Sequence, residues 1–293
     1  MADLYEQLND EQRRAVTAPD GPMLVLAAAG TGKTRTLVYR VAHLVGQGVP
    51  PDRILLLTFT NRAANEMLDR ARMLVGPDIG GVWAGTFHHL ANRLLRRHAQ
   101  RVGYQPEYTI LDQDDARKLV ADAVRMLKLT AQDFPKPKVL LGIFGSAANT
   151  ERNVANVAEE RFTEVGVDVD DVVRVHREYV RRKRELDAMD FDDMLVNCLK
   201  LLKENEDVLE QYRQRFKHVL VDEYQDTNPI QADMVDLLAA GHGNVLVVGD
   251  DFQSIYSWRG ADFRNILSFP NRYPRAAQYR LETNYRSVPE ILD

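Results

Sequence analysis

The sequence has a single cysteine, Cys198, and no long apolar run. A disulfide within the chain is therefore excluded, and this cysteine usage fits a reducing compartment. No segment approaches the ~20 consecutive apolar residues of a transmembrane helix. The first ten residues, MADLYEQLND, are acidic and polar, which predicts that they are not a secretory signal. These features lead us to expect a cytoplasmic protein without a membrane partner. Histidine and cysteine also lack the spacing of zinc ligands, so we do not expect a zinc site.

The sequence also has no excess of basic residues over acidic ones. The 38 lysines and arginines are outnumbered by 43 aspartates and glutamates, which gives a net charge of −5. This balance excludes a protein coated with basic charge but allows a local basic surface. Hydrophobic residues make up 45% of the 293 residues, enough for one large domain or two modest ones. The sequence contains no internal repeat and no low-complexity segment.

Short apolar runs alternate with helical patterns along most of the chain. Four runs have the length of buried strands: MLVL at 23–26, RILLLTF at 53–59, HVLV at 218–221 and NVLVVG at 244–249. This alternation predicts an α/β fold in which helices cover both faces of a parallel sheet. Polar residues follow the carboxyl ends of these runs, which is where open parallel sheets bind ligands.

The middle of the chain follows a different pattern. Residues 107–190 contain mostly helical spacing and almost no apolar run of strand length. We therefore predict that 107–190 form an inserted helical subdomain, and that 1–106 and 191–293 together form the α/β domain. The final stretch, SVPEILD, starts a helix with a capping residue and does not finish it, so we expect the natural chain to continue.

A phosphate-binding loop is predicted by AAAGTGKT at 27–34, which fits G-x-x-x-x-G-K-[ST] except that Ala27 occupies the first glycine position. Gly30 and Gly32 permit the positive φ angles that turn backbone N–H groups toward phosphate oxygens. Lys33 would reach the β- and γ-phosphates, and the hydroxyl of Thr34 would bind Mg²⁺. The apolar run before the loop and the helix after it favour this interpretation over an incidental turn, so ATP and Mg²⁺ are the expected cofactors.

A group of carboxylates ends the strand in VLVDEYQDTNP. Like charges repel and are costly to bury, so the group requires a source of positive charge. Mg²⁺ and Lys33 provide it in our interpretation. We assign Asp222 to the metal, and Glu223 as the base that polarises the attacking water. Asp226 is expected to hold neighbouring backbone or side chains.

Seven motifs in order carry a resemblance to a known family: LNDEQRRAV, AAAGTGKT, TFTNRAANEM, GTFHHL, VDEYQDTN, VVGDDFQSIYSWRGAD and ETNYRS. Together they span residues 8–287, and the chain resembles the N-terminal half of UvrD/Rep-type superfamily 1 DNA helicases. The resemblance implies a RecA-like P-loop NTPase domain with a helical insertion. It also implies ATP-driven movement on single-stranded DNA with 3′→5′ polarity.

The resemblance implies nucleotide-binding roles for individual residues. Gln12 would hydrogen-bond the adenine edge, Tyr285 would stack on the adenine ring, and Arg35 would flank the nucleotide. Gln253 and Arg286 would sense the γ-phosphate. The implied nucleotide-binding set is Gln12, Ala27, Ala28, Ala29, Gly30, Thr31, Gly32, Lys33, Thr34, Arg35, Tyr285 and Arg286. The implied catalytic set is Glu223, Lys33, Gln253 and Arg286, and the metal set is Thr34 and Asp222.

DNA-binding roles follow from the same resemblance. Phe59, Tyr256 and Trp258 would stack on bases without reading their sequence. The remaining implied contacts to phosphates or bases are Thr58, Asn61, Arg62, Thr86, His88 and Arg259. Two basic stretches, 92–101 and 174–186, are candidates for contact with the DNA backbone or for solvated helix faces. The expected partners are single-stranded DNA and duplex junctions.

Several functions remain open at the level of sequence. A nucleotide-gated DNA-binding module without motor activity would carry the same motifs, and so would the motor half of a RecB- or AddA-like helicase–nuclease. A P-loop kinase would leave QSIYSWRGA unexplained. In the helicase interpretation, a second RecA-like domain follows residue 293. We therefore expect the chain alone to bind nucleotide weakly, to hydrolyse it slowly and not to unwind duplex DNA.

Overall fold

A computed structural model describes residues 2–129, 134–163, 166–250 and 264–286. Four of the implied functional residues lie outside this part of the chain: Gln253, Tyr256, Trp258 and Arg259.

The centre of the molecule is a parallel sheet. The strands are β1 (Met23–Ala27), β2 (Ile54–Thr58), β3 (Trp83–Thr86), β4 (Thr109–Ile110), β5 (Ala188–Met189), β6 (His218–Val221), β7 (Val245–Gly249) and β8 (Ala277–Leu281). Six of them form one sheet in the order β3-β2-β6-β7-β1-β8, and every described pair in it is parallel. The four strands in the middle of this order are those that the apolar runs predict. The sheet with its flanking helices is a RecA-like α/β fold.

Helices connect the strands and cover the sheet. They are α1 (Asp10–Val16), α2 (Lys33–Gly46), α3 (Asn61–Val75), α4 (Phe87–His98), α5 (Gln113–Met126), α6 (Pro137–Asn149), α7 (Val154–Phe162), α8 (Val169–Glu185), α9 (Phe191–Glu204), α10 (Glu206–Arg215), α11 (Pro229–Ala239) and α12 (Arg264–Arg272). None of the helices in the described part of the chain is both long enough and apolar enough to cross a membrane.

Two hydrophobic cores lie on opposite faces of the sheet. Side chains alternate along β2, so Leu55 and Leu57 pack with α4, α9 and α11, whereas Leu56 packs with α2 and α3. Strand β6 divides in the same way, with Val219 on the first face and Leu220 on the second. Burial on both faces explains why these strands read as continuous apolar runs.

Helices α5 to α8 pack around a third core of their own, which includes Val120, Phe144 and Tyr179. The short parallel pair β4–β5 lies where the chain enters and leaves this group of helices. The structure therefore contains a helical unit within the predicted insertion, whose exact limits of 107–190 stay a prediction.

Side-chain caps fix where three of the helices begin. Asn9 caps α1 and Asn228 caps α11, and in each case a glutamine three residues later completes a capping box. Asp190 caps α9 in the same way with Asp193 as its partner. These caps set the entry of α1, α9 and α11 beside the carboxyl end of the sheet, where the functional residues lie.

Candidate nucleotide and DNA site

A cleft of about 680 Å³ opens at the carboxyl ends of β1, β2 and β6. The phosphate loop (27–34) forms one wall, and the acidic loop (222–228) forms part of another. The start of α3 and residues 285–286 complete the lining. The cleft thus brings together the two segments that sequence analysis paired through a phosphate and a metal.

The phosphate loop has the backbone that its glycines predict. Gly30 and Gly32 have φ angles of +80° and +94°, and α2 starts at Lys33 directly after them. Gln12 donates from Nε2 to the carbonyl of Thr31 at 3.0 Å. A Cβ at Gly32 would lie 2.5 Å from this Nε2, so glycine permits both the turn and the approach of Gln12. The adenine-binding role of Gln12 stays a prediction.

Lys33 is the cation that faces the acidic loop. It is only 9% exposed, and its Nζ lies 3.0 Å from Glu223 Oε2 and 4.0 Å from Asp250 Oδ2. These distances join the phosphate loop to the ends of β6 and β7. The sequence analysis pointed to Lys33 as a counter-charge for the acidic loop, and the structure places it there.

Two carboxylates of the acidic loop are poorly satisfied. Asp222 is 4% exposed, and its Oδ1 has no hydrogen-bond partner among the described residues; the same holds for Oδ1 of Asp226. Burial, and then the charge of Glu223, raise the pKa of Asp222 to about 7 and that of Asp226 to about 6. Oδ1 of Asp226 therefore makes no described contact with its neighbours, and the expectation that this residue holds neighbouring backbone or side chains stays a prediction.

The environment of Asp222 fits a magnesium ion. A buried carboxylate oxygen without a partner is costly unless a cation or a proton satisfies it. No group of three or more His, Cys, Asp or Glu side chains in the described ranges could hold a metal by itself. Mg²⁺ ordinarily takes one or two carboxylates and completes its shell with water and substrate phosphates. Thr34 lines the same cleft as Asp222.

Glu223 is held in an uncommon conformation. Its φ of +49° places a residue other than glycine in the left-handed region, where the cost is of the order of 1 kcal/mol. Gln225 donates to its carboxylate at 2.7 Å and accepts from the backbone N–H of Asp250 at 3.0 Å. Sequence analysis missed Gln225, which ties the acidic loop to the end of β7.

Residues 282–286 lie across the phosphate loop. Asn284 donates to the carbonyl of Ala29 at 3.0 Å, and the N–H of Tyr285 donates to the carbonyl of Gly30 at 2.9 Å. The Tyr285 hydroxyl accepts from Asn9 Nδ2 at 2.8 Å while 62% of the residue stays exposed. The structure therefore brings Tyr285 close to the start of α1, the helix that also carries Gln12.

The implied DNA contacts that the structure describes lie at the ends of β2 and β3. Thr58 and Phe59 line the same cleft as Lys33, and the Phe59 ring contacts Phe87 edge-on at 6.5 Å between centroids. Asn61 and Arg62 are exposed in the first turn of α3. Two further residues lie where β3 meets α4: Thr86 ends β3 and caps α4, and His88 occupies the first turn of α4.

A family model described as UvrD/REP helicase N-terminal domain matches residues 8–274. The chain belongs to this family. Among similar proteins are the ATP-dependent DNA helicases PcrA of Staphylococcus aureus and Staphylococcus epidermidis, each 40% identical over 291 and 294 residues respectively. The alignments cover 99% of this chain but only 39% of each relative, so the chain spans about two fifths of the length of the curated relatives it matches.

In this UvrD/REP domain the first basic stretch is engaged within the protein. Arg93 lies over the Trp83 ring at 3.5 Å, and Arg97 and Arg215 approach the same ring at 5.3 and 4.5 Å. Arg96 donates to two backbone carbonyls at 2.7 Å each. These arginines therefore already have partners within the protein, either as cation–π contacts or as hydrogen bonds to backbone carbonyls. DNA contact by 92–101 stays a prediction.

The second basic stretch is largely paired with carboxylates. On α8 of the UvrD/REP domain, Arg181 and Arg182 both bond Glu178. Lys183 is buried between Asp190 and Asp193, with Nζ–Oδ2 distances of 2.6 and 2.5 Å. Much of the charge that the sequence shows at 174–186 is therefore offset locally, and a DNA-binding role for it stays a prediction.

Phe191 is a surface residue that sequence analysis missed. It begins α9, is 49% exposed, and its ring meets His88 edge-on at 5.8 Å between centroids. A large apolar side chain exposed beside an implied DNA contact of the UvrD/REP domain is a candidate stacking surface. The signal in the sequence is an aromatic residue between aspartates in AMDFDDML, at the predicted boundary between the insertion and the α/β domain.

Proposed function

We propose that this chain is the ATP-binding N-terminal portion of an ATP-dependent DNA helicase that moves 3′→5′ on single-stranded DNA. The observation that carries the proposal is the shared cleft, in which Lys33 meets Glu223 at 3.0 Å and Thr58 and Phe59 form another part of the lining. A nucleotide in this cleft would contact residues that lie one or two positions along the chain from implied DNA-binding residues such as Phe59 and Asn61. The names of the PcrA relatives support the same activity.

Each side chain in the cleft has a chemical role in this proposal. Glu223 accepts a proton from the attacking water, and Lys33 stabilises the charge on the transferred phosphoryl group. Thr34 and Asp222 would hold the magnesium ion, which when bound supplies positive charge to the phosphate oxygens. Arg286 lines the cleft and would reach the γ-phosphate as a charged fork.

DNA would lie across the ends of β2 and β3. Phe59 offers one aromatic surface there, and Phe191 with His88 offers a second. Stacking on such surfaces contributes ~1–3 kcal/mol per base and does not depend on the base, which suits a motor that moves along any sequence.

A helicase cycle requires a second wall for the cleft. The chain covers 39% of its relatives, and we propose that a second RecA-like domain in the remaining sequence supplies that wall and the power stroke. We therefore expect the 293-residue chain to bind nucleotide weakly, hydrolyse it slowly and fail to unwind duplex DNA. Robust unwinding by the isolated chain would contradict this expectation.

Binding measurements on the chain test the proposal directly. We expect saturable binding of a fluorescent ATP analogue with magnesium and of labelled oligo(dT), measured separately by anisotropy. Lys33→Ala should lower nucleotide affinity by about tenfold or more, because it removes the charge that faces the phosphates, while oligo(dT) affinity stays within about twofold. Lys200→Ala, on the exposed surface of α9, is the matched control. Nucleotide binding without any oligo(dT) binding would instead favour a P-loop enzyme of another class.

A measurement of ATP hydrolysis distinguishes the proposed motor from a nucleotide-gated DNA-binding module. The proposed motor should show ATP turnover that rises when oligo(dT) is added, and a version extended beyond Asp293 should show a larger rise. Binding of both ligands with no turnover in either version would support the nucleotide-gated module.

A further inference from the structure

A hydrogen-bonded junction connects the helical insertion to the acidic loop. Asn149, the last residue of α6, accepts at Oδ1 from Asn228 Nδ2 at 2.8 Å. Its own Nδ2 donates to Asp192 Oδ1 and to the carbonyl of Gly145, both at 2.8 Å. One side chain from the insertion thus touches both the loop that carries Glu223 and the first turn of α9.

The orientation of both amides in this junction is fixed by their other partners. Asp192 presents carboxylate oxygens, which accept, so the atom of Asn149 that faces it must be Nδ2. The backbone N–H of Gln231 donates to Asn228, so the atom of Asn228 that faces it must be Oδ1. Asn149 Oδ1 and Asn228 Nδ2 then face each other as acceptor and donor, and no alternative flip satisfies the whole set.

On the side of the nucleotide, hydrogen bonds within the acidic loop connect the junction to Glu223, the proposed base. Thr227 donates from Oγ1 to the carbonyl of Tyr224 at 2.6 Å, and the N–H of Asp226 donates to the carbonyl of Glu223 at 2.9 Å. Asn228 is buried and caps α11. A displacement of Glu223 would therefore be carried through this short turn to Asn228.

On the side of the DNA, the junction reaches the exposed aromatic surface. Asp192 directly follows Phe191, whose ring contacts His88 at 5.8 Å between centroids. A Cβ at Gly145 would lie 2.7 Å from Asp192 Oδ2, so glycine at this position allows α6 to approach the turn closely. The position of α9 relative to α6 consequently sets where Phe191 lies.

We propose that Asn149 is a positioning residue that couples the state of the nucleotide site to the DNA-facing surface formed by Phe191 and His88. The inference rests on the proposed function and deepens it, because it names one route by which that site is regulated. Asn149 touches neither nucleotide nor DNA in this scheme. It holds the acidic loop and the first turn of α9 in one arrangement, so that a shift of one biases the other.

Coupling is measured as the ratio of oligo(dT) dissociation constants with and without a saturating non-hydrolysable ATP analogue and magnesium. We expect this ratio to differ from one by about fivefold or more in the parent chain. Asn149→Asp places a second carboxylate against Asp192 and should bring the ratio close to one. Adding Asp192→Asn restores a donor opposite the new carboxylate, which still accepts from Asn228. The double variant should recover part of the parent ratio, because the bond to the Gly145 carbonyl stays lost.

A merely structural role gives a different result. In that case Asn149→Asp would lower the melting temperature, measured in parallel, while the ratio of dissociation constants stayed at the parent value; this outcome overturns the proposal. A parent ratio of one with both ligands bound also overturns it and leaves the proposed function standing. If the parent chain binds neither ligand, the proposed function fails and this inference fails with it.

Discussion

At the scale of single residues, the acidic end of β6 depends on the placement of Lys33. Its ammonium lies 3.0 Å from Glu223, whereas Asp222 has one oxygen without a partner among the described residues and a pKa raised by burial to about 7. The sequence predicted which residue types meet here, because the spacing of a phosphate loop and of an acidic strand end is specific. It could not predict the left-handed backbone of Glu223 or the bridge made by Gln225, since both depend on how β6 and β7 pair.

Glu223→Gln tests the role of the proposed base. The amide keeps the size of the side chain and its contact with Gln225, so nucleotide affinity should stay within a few-fold of the parent value. Single-turnover hydrolysis should fall by about 100-fold or more, because the amide cannot accept the proton. Glu66→Gln is the control, since Glu66 lines the same cleft but bonds Arg70 on its own helix. Hydrolysis at the parent rate in Glu223→Gln would remove the assignment.

At the scale of elements, strand prediction succeeded where burial is two-sided. β1, β2, β6 and β7 are almost wholly buried and read as apolar runs. β3 and β8 lie at the two edges of the sheet and were not predicted. Strand β8, AQYRL, pairs with β1, but most of its residues are exposed. Because exposed positions accept polar side chains, the sequence contains no apolar run that would predict this strand.

Helix α8 shows that a run of basic residues in a sequence does not reveal how those charges are paired in the fold. Its basic residues suggested a DNA-binding face, but the pattern does not reveal that Glu178 and the first turn of α9 take up several of them. His176 lies on the inner side of this helix against Phe144, with 4.8 Å between ring centroids. Burial, and then the charge of Lys183, lower the pKa of His176 to about 4.

This lowered pKa predicts a pH-dependent stability. Between pH 4 and the ordinary histidine pKa of about 6.5, the unfolded chain binds more protons at His176 than the folded chain does. His176 therefore contributes stability above this window that is lost as the pH falls through it. We expect His176→Phe to reduce the gain in unfolding free energy between pH 5 and pH 7 by about 1 kcal/mol, measured by urea denaturation.

His89→Gln serves as the control for this measurement, because His89 is exposed on α4. If His176→Phe matches the parent between pH 5 and pH 7, this half-buried histidine has no role in the titration of stability.

At the scale of the whole molecule, the described residues form two cores on the sheet and a third within α5 to α8. The sequence predicts a helical insertion at 107–190, because strand-length runs are almost absent from the middle of the chain, and that division into domains stays a prediction. It could not predict how the units are joined, since that depends on single polar contacts such as Asn149 to Asn228 and Lys183 to Asp190.

Separate cores predict separate local stabilities. Amide hydrogen exchange should show that α5 to α8 open at a lower free energy than the central strands β6 and β7, because the helical core is smaller and lies outside the sheet. Exchange followed by mass spectrometry over minutes to days measures both. Equal protection of the two regions would mean that the molecule opens only as a unit.

The strand order also has a consequence for synthesis on the ribosome. β1 and β2 are not neighbours, because β6 and β7 lie between them. The first two strands therefore emerge more than a hundred residues before the partners that separate them, and the edge of β2 that pairs with β6 and the edge of β1 that pairs with β7 stay open in the meantime. Helices α5 to α8 can fold during this interval, so the nascent chain completes its inserted part before the sheet that carries it.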